Sequence, residues 1–215
     1  MPEPTTLTLV STGFMAMTVQ YVRGKYRQAK PYFDYLTAVA LLVALSPVLV
    51  VCAVLVKLTS RGPAFYTQER VGQHGKVFRI IKLRTMRQDA EADTGPVWAQ
   101  GDRDERVTLF GRILRKTHLD EIPQLINVLR GDMSLVGPRP ERPHFVKQLR
   151  KQVPGYESRL AVKPGITGLA QVRAGYDRTI RDVRKKVKLD AIYVRKMCWW
   201  VDFVIIARTA RKFLG

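Results

Sequence analysis

The longest apolar run in the chain covers residues 35–56, where almost every side chain is aliphatic. As a helix of about 22 residues rising about 1.5 Å each it would be near 33 Å long, enough to cross a bilayer. Ser46-Pro47 interrupts the run at its midpoint. A proline ring removes an amide donor and disfavours helical geometry in the residue before it, so the run is expected to bend or break into two halves. Each half is then about 16 Å long, one leaflet deep. Arg23, Lys25, Arg27 and Lys30 precede the run, and Lys57 and Arg61 follow it. A spanning helix usually leaves one flank poorer in cations, so two basic flanks favour a helix that enters and returns. A true span and a buried soluble helix are the alternatives; core helices rarely carry more than about 10 to 14 apolar residues in a row.

Beyond the run, residues 64–71 and 76–81 flank Gly72-Gln73-His74-Gly75 and read as a β-hairpin. Residues 87–104 are polar, contain Gly95-Pro96 and Gly101, and read as a loop. Helical spacing returns over 107–116 through Leu109, Phe110, Ile113 and Leu114. A short helix over 119–130 puts Leu119, Ile122, Ile126 and Leu129 on one face and Asp120, Gln124 and Asn127 on another, closed by Gly131. Pro123 fits only near the start of that helix, which places Asp120 and Glu121 at its N-terminal end. A further helix covers 141–152, and Pro164-Gly165-Ile166-Thr167-Gly168 reads as turn. The tail starts as a basic helix over 181–196 and continues through Trp199-Trp200 into aliphatics and cations, which suits a helix lying in a membrane interface or a core helix with snorkelling cations. The fold class expected is α+β, mainly helical.

Charge narrows the set of partners. Lys and Arg number 37 against 18 Asp and Glu, a formal net charge of +19, which calls for an anionic partner: nucleic acid, an acidic membrane surface or a phosphorylated substrate. With 46% hydrophobic residues in 215, the chain has enough apolar side chain for one core and is no disordered basic tail. Cys52 and Cys198 match neither a disulfide framework nor a zinc spacing, so reduced thiols and a cytoplasmic setting are expected. His74, His118 and His144 are well separated, so a divalent ion would take oxygen ligands, favouring magnesium over zinc. Residues 1–22 lack a basic n-region, which argues against a cleaved secretory signal.

No Walker phosphate loop, Gly-rich dinucleotide fingerprint, Ser nucleophile elbow or zinc-protease helix motif occurs. What remains is Asp120-Glu121, ringed in sequence by Arg112, Arg115, Lys116, Arg130 and Arg139. Carboxylates in a first helical turn ordinarily complement the helix dipole. Neighbours on a helix diverge in direction, however, so these two could take separate tasks, one attacking while the other handles a proton or a metal. Arg139 lies between Pro138 and Pro140, which hold its backbone extended and project a fork suited to phosphate oxygens. Asp102-Arg103-Asp104 has the look of a metal and diphosphate site, but no βαβ unit accompanies it and a solvated loop is the better reading.

From about residue 31 to 215 the chain resembles the bacterial sugar transferases, the monotopic phosphoglycosyl transferases. The resemblance rests on ordered blocks: the apolar run with Ser46-Pro47, Gln68-Glu69-Arg70-Val71-Gly72, Lys82-Leu83-Arg84-Thr85-Met86, Arg106-Val107-Thr108, Leu119-Asp120-Glu121-Ile122-Pro123-Gln124-Leu125, Asn127-Val128-Leu129-Arg130-Gly131-Asp132-Met133-Ser134, Gly137-Pro138-Arg139-Pro140 and Pro164-Gly165-Ile166-Thr167-Gly168. It implies a monotopic membrane protein with a re-entrant helix-break-helix at Ser46-Pro47 and a small β-hairpin. The regions would be an extension of unassigned role over 1–30, the re-entrant helix over 31–60, and over 61–215 a catalytic domain with an interfacial C-terminal helix. Such a domain would lie on the cytoplasmic face of the bacterial inner membrane. The activity implied is transfer of a sugar phosphate from a UDP-sugar to polyprenyl phosphate with release of UMP, the first step of exopolysaccharide, capsule or O-antigen assembly. By the same resemblance Asp120 is the nucleophile that becomes a covalent phosphosugar aspartate, Glu121 assists at the lipid phosphate, Arg115 and Arg139 bind phosphate, and Mg2+ lies against Asp120. The partners implied are the UDP-sugar, polyprenyl phosphate and the membrane, with no nucleic acid and with a homo-oligomer left open. His118 stands where relatives commonly have serine and Leu83 where they have phenylalanine. Larger relatives add N-terminal helices and a domain, so the chain reads as the compact form.

Attack by a carboxylate on a diphosphate brings negative charge toward negative charge, so the site has to be electropositive and Asp120 is expected at or below the ordinary carboxylate range. Two rival readings stand beside this one. A metal-dependent glycosyltransferase would use Asp102 and Asp104 and release UDP. A basic membrane or nucleic-acid binding module would do no chemistry at all.

Overall fold

The computed structural model describes residues 4–90, 104–174 and 179–214, with side chains over 24–90, 104–174 and 179–212. Its first element, α1 (Pro4–Thr59), runs 56 residues and crosses both Pro31 and Pro47 without interruption. The division expected at Ser46-Pro47 is therefore absent from the helix path. The physical reason lies one residue away. Pro47 cannot donate to the carbonyl of Val43, and the Ser46 hydroxyl donates to that oxygen instead, at 2.8 Å. What breaks is one rung of the hydrogen-bond ladder, and a side chain replaces it. The boundary at residues 30 and 31 likewise falls inside α1.

Gly24–Thr59 is long and apolar enough to cross a membrane, with 11% of its most apolar window buried. One face, at a spacing of four, is buried through Tyr26, Lys30, Asp34 and Ala38, and Cys52 and Val56 pack lower down. The other face leaves Val43 69% and Val50 62% exposed. Aliphatic side chains left open over so long a stretch exclude the soluble core helix.

The hairpin forms as expected: β1 (Phe65–Val71) pairs antiparallel with β2 (Val77–Leu83), Phe65 opposite Leu83 and Val71 opposite Val77. Its turn is a 3-10 segment, Gln73–Gly75, in which His74 and Gly75 both have positive φ. The outer edge of β2 is covered by Asn127, which accepts from Ile81 N at 3.0 Å and donates to Arg79 O at 2.7 Å. A fully buried amide thus stands in for a third strand.

α2 (Leu109–Lys116) is capped by Thr108, whose hydroxyl accepts from Gly111 N at 3.0 Å. A Cβ on Gly111 would lie 2.1 Å from Thr85 O, so glycine lets α2 sit directly on the backbone that follows β2. The helix expected over 119–130 is split. Leu119–Glu121 is a 3-10 turn entered through His118 at φ 53, and α3 (Gln124–Leu129) starts anew after Pro123. Pro123 has no amide to continue the ladder, and Glu121 N bonds back to His118 O at 3.0 Å in the tighter pattern.

The stretch 164–168, read as turn, contains a strand. β3 (Ser134–Val136) pairs in parallel with β4 (Gly165–Thr167), joined through α4 (Pro143–Gln152) and a 3-10 segment, Tyr156–Ala161. α5 (Leu169–Arg173), α6 (Ile180–Lys196) and α7 (Trp199–Leu214) complete the chain. On α7, Asp202 and Ile205 are buried while Trp200 and Phe203 are exposed, so the core-helix reading fails for the tryptophan face. The main core gathers Tyr26, Phe78, Leu125, Met133, Val136 and Tyr193 under α1. A second, of Val71, Phe145, Leu149, Tyr156 and Val183, holds the other side of the loop that carries Arg139.

Candidate active site

Three elements converge on one edge of the domain. The end of β2 supplies Lys82, the 3-10 turn supplies Asp120 and Glu121, and the loop after β3 supplies Arg139. Lys82 Nζ lies 2.7 Å from Glu121 Oε1, and Arg139 Nη2 lies 3.0 Å from the same oxygen. Arg115, from the last turn of α2, donates Nε to Thr85 Oγ1 at 3.0 Å and acts on Asp120 through space. Of the cations that ring the acidic pair in sequence, Arg115 and Arg139 are brought to it. Arg112, Lys116 and Arg130 are exposed.

The two carboxylates are held differently. Burial alone would raise Glu121, but Arg139 and Lys82 outweigh it and keep the group far below the usual carboxylate range. It is a fixed anion. Asp120 is 7% exposed, and among the described residues no side chain donates a hydrogen bond to it. Burial pushes its pKa up and the Glu121 charge adds to this, against the pull of Lys82, Arg115 and Arg139. The expectation that Asp120 sits at or below the ordinary range is therefore corrected: the loss of water outweighs three cations.

Arg139 owes its position to the carbonyls on either side of it. Gly165 N donates to Pro138 O at 2.9 Å, Arg159 Nη2 to Arg139 O at 2.9 Å, and Arg70 Nη1 to Pro140 O at 3.1 Å. Three consecutive acceptors are thus taken, and the loop is pinned at each residue. Gly165 has to be glycine, since a Cβ there would fall 2.0 Å from Gly137 N. Arg159 is itself buried, 3.0 Å from Asp190 on α6. The Arg139 side chain remains 44% exposed, so the guanidinium is anchored on one side and open on the other.

Residue chemistry alone does not single out Lys82, Arg159, Asp190 or Arg70. Lys82 and Arg70 sit inside motif blocks, which was the available signal. The Arg159–Asp190 pair leaves no mark in local pattern.

A magnesium ion fits this donor set in a specific way. Among the described residues no group of three or more His, Cys, Asp or Glu forms an all-protein cage. A buried carboxylate that accepts no side-chain hydrogen bond among the described residues, with cations beside it, would suit an ion that takes one or two carboxylates and completes its shell with phosphate and water. Asp120 is the residue that would hold it.

In the acidic triplet, Asp102 lies outside the described residues. Asp104 is 1% exposed and accepts from Arg106 Nε at 2.8 Å and Nη2 at 2.7 Å. Both its oxygens are engaged in a fork-to-fork pair, so it is a structural anion and offers no open ligand. Cys52 and Cys198 are both free thiols, as their spacing indicates.

Residues 25–215 match the family described as bacterial sugar transferase. The chain is 44% identical over 189 residues to the UDP-N-acetylgalactosamine-undecaprenyl-phosphate N-acetylgalactosaminephosphotransferase of Aeromonas hydrophila, covering 88% of this chain and 44% of that protein. It is 45% identical over 190 residues to the UDP-glucose:undecaprenyl-phosphate glucose-1-phosphate transferase of Caulobacter vibrioides, covering 86% of this chain and 69% of that protein. A protein of the same name from Escherichia coli is 40% identical over 191 residues, covering 88% of this chain and 41% of that protein. The chain thus spans less than half of two of these relatives.

Proposed function

Because the chain belongs to the bacterial sugar transferase family, we propose that it transfers a sugar phosphate from a UDP-sugar to undecaprenyl phosphate, releasing UMP. The observation that carries this reading is the asymmetry of the acidic pair. Asp120 is buried and accepts no side-chain hydrogen bond among the described residues, beside a Glu121 locked between Lys82 and Arg139.

In the first step a carboxylate oxygen of Asp120 forms a bond to the phosphorus bearing the sugar, and the bond from that phosphorus to the bridging oxygen breaks, so that UMP departs. In the second, an oxygen of the lipid phosphate attacks the same phosphorus and the Asp120 carboxylate leaves, giving an undecaprenyl diphosphate sugar. Burial strips water from the Asp120 carboxylate and favours the attack once its proton is gone. Arg115 and the open side of Arg139 supply donors to the equatorial oxygens, where positioning and electrostatics account for most of the rate. Glu121 holds Arg139 and Lys82 in place and stays ionised throughout. Bound Mg2+ would neutralise charge on the diphosphate. Two displacements at one site let a soluble donor and a membrane-confined acceptor take turns, so ping-pong kinetics are expected.

Membrane attachment rests on α1, whose exposed valines need an apolar surrounding. Basic residues on both flanks of the apolar run support a reading in which the catalytic domain lies at the cytoplasmic face of the inner membrane. The product would prime exopolysaccharide, capsule or O-antigen assembly. Relatives at 44% and 45% identity are named for two different sugars, so UDP-N-acetylgalactosamine and UDP-glucose are the first donors to assay. Membranes carrying the protein, given each UDP-sugar and undecaprenyl phosphate, should release UMP in an acceptor-dependent way. Release of UDP in its place would point to a conventional glycosyltransferase and sink the reading.

A further inference from the structure

A second cluster of buried charge lies away from the site, where α1 meets β3, α6 and α7. Lys30 and Asp34 belong to α1, Ser134 to β3, Tyr193 to α6 and Asp202 to α7, and none is more than 7% exposed. Lys30 Nζ donates to Asp202 Oδ2 and lies 3.5 Å from Asp34 Oδ1. Tyr26 on α1 also donates to Asp202 Oδ2. Ser134 Oγ donates to Asp34 Oδ2 at 2.7 Å, and Tyr193 Oη lies 2.9 Å both from Asp202 Oδ1 and from Val136 O. All four carboxylate oxygens have partners. Trp199 lies edge-on against Tyr26 and Phe33, with ring centroids 4.8 Å and 5.1 Å away.

We propose that this cluster is a positioning lock that sets the height of the active site above the membrane, and so governs the lipid-acceptor step; it rests on the function proposed above. The strand it grips, β3, ends at Val136 and runs directly into Gly137-Pro138-Arg139. An apolar helix packed on an apolar core can slide by a turn, about 5.4 Å, at modest cost in contacts. Two carboxylates sharing one ammonium cannot slide without leaving a buried charge unpaired, so the network selects a single register. The UDP-sugar arrives from water and reaches Asp120 at any height. The lipid phosphate is confined to the headgroup layer, so only its approach to Asp120 and Arg139 depends on where α1 holds the domain.

The test separates the half-reactions. Asp34→Asn and Lys30→Met proteins are purified in full length and reconstituted in lipid nanodiscs. UMP released without acceptor, up to one equivalent, reads the first step; transfer to added undecaprenyl phosphate reads the second. The lock predicts a burst within about twofold of wild type and a transfer rate lower by about tenfold or more, as misplacement of a reactant by an ångström or so commonly costs. Equal losses in both steps, or none in either, overturn it. If those variants fail to fold, Ser134→Ala removes one link between α1 and β3 and should shift the same ratio in the same direction. A second readout needs no turnover. Spin labels at Leu36→Cys and Lys147→Cys, with Cys52 and Cys198 replaced by alanine, should give one narrow distance that broadens or shifts on Asp34→Asn. An unchanged distribution contradicts the lock even if no UDP-sugar is turned over, and absence of a UMP burst from wild type counts against the proposed function alone.

Discussion

The protein buries two clusters of charge, and they are built on opposite plans. Around Asp120 and Glu121 three cations face two carboxylates, Arg139 is open to solvent, and Asp120 accepts no side-chain hydrogen bond among the described residues. Around Asp34 and Asp202 two carboxylates face one ammonium, nothing is open, and every carboxylate oxygen is engaged. The first arrangement has cationic capacity to spare and an unspent carboxylate, which is what a site for an anionic substrate requires. The second is saturated, which is what a fixed joint requires. Buried charge by itself therefore says little about chemistry; whether the cluster is complete without a ligand says a great deal.

The contrast can be broken or sharpened by substitution. The largest effect is expected from Asp120→Asn, which keeps shape and removes the proposed nucleophile: UMP release should fall by at least about a thousandfold while thermal stability is kept or improved, since a buried charge has gone. Near-normal turnover in that variant would end the nucleophile assignment. Asp202→Asn should do the reverse. Leaving Lys30 short of a partner in a sealed interior should cost about 3 to 5 kcal/mol of stability, readable as a lowered Tm in detergent. Arg139→Lys comes next. Lysine keeps the charge but loses the fork, so turnover should drop about ten- to a hundredfold with Tm unmoved; a loss of stability instead would mean Arg139 serves the loop and not the substrate. The smallest effect is expected at the rim. Trp200 is 70% exposed and stacks on Phe203, so Trp200→Ala should weaken vesicle binding a few-fold and leave detergent-solubilised turnover unchanged.

Much of this architecture is legible in the sequence, and the parts that are not have a common cause. The hairpin, the amphipathic helices 109–116 and 143–152 and the basic helix ending at Lys196 follow from periodicity and turn residues, which are local. The acidic pair and the proline-flanked Arg139 could be picked out because their context is also local. Lys82, the Arg159–Asp190 pair, the parallel β3–β4 ladder and the Asp34–Ser134 contact join residues far apart in the chain, and no window of sequence contains both partners. The pKa of Asp120 goes the opposite way from the expectation because charge neighbours can be counted in a sequence while burial cannot. At Ser46-Pro47 the proline signal was real, but the hydroxyl next to it supplies the bond that the proline removes, and the helix continues.

The central claim is that Asp120 carries the sugar phosphate between donor and acceptor. Intact-mass spectrometry of the purified protein, incubated with its UDP-sugar and no lipid acceptor, tests it most directly. The account predicts an added mass of one sugar phosphate per chain, lost when undecaprenyl phosphate is supplied and never formed by Asp120→Asn. UMP release at full rate with the protein mass unchanged, or the same adduct on Asp120→Asn, would contradict it.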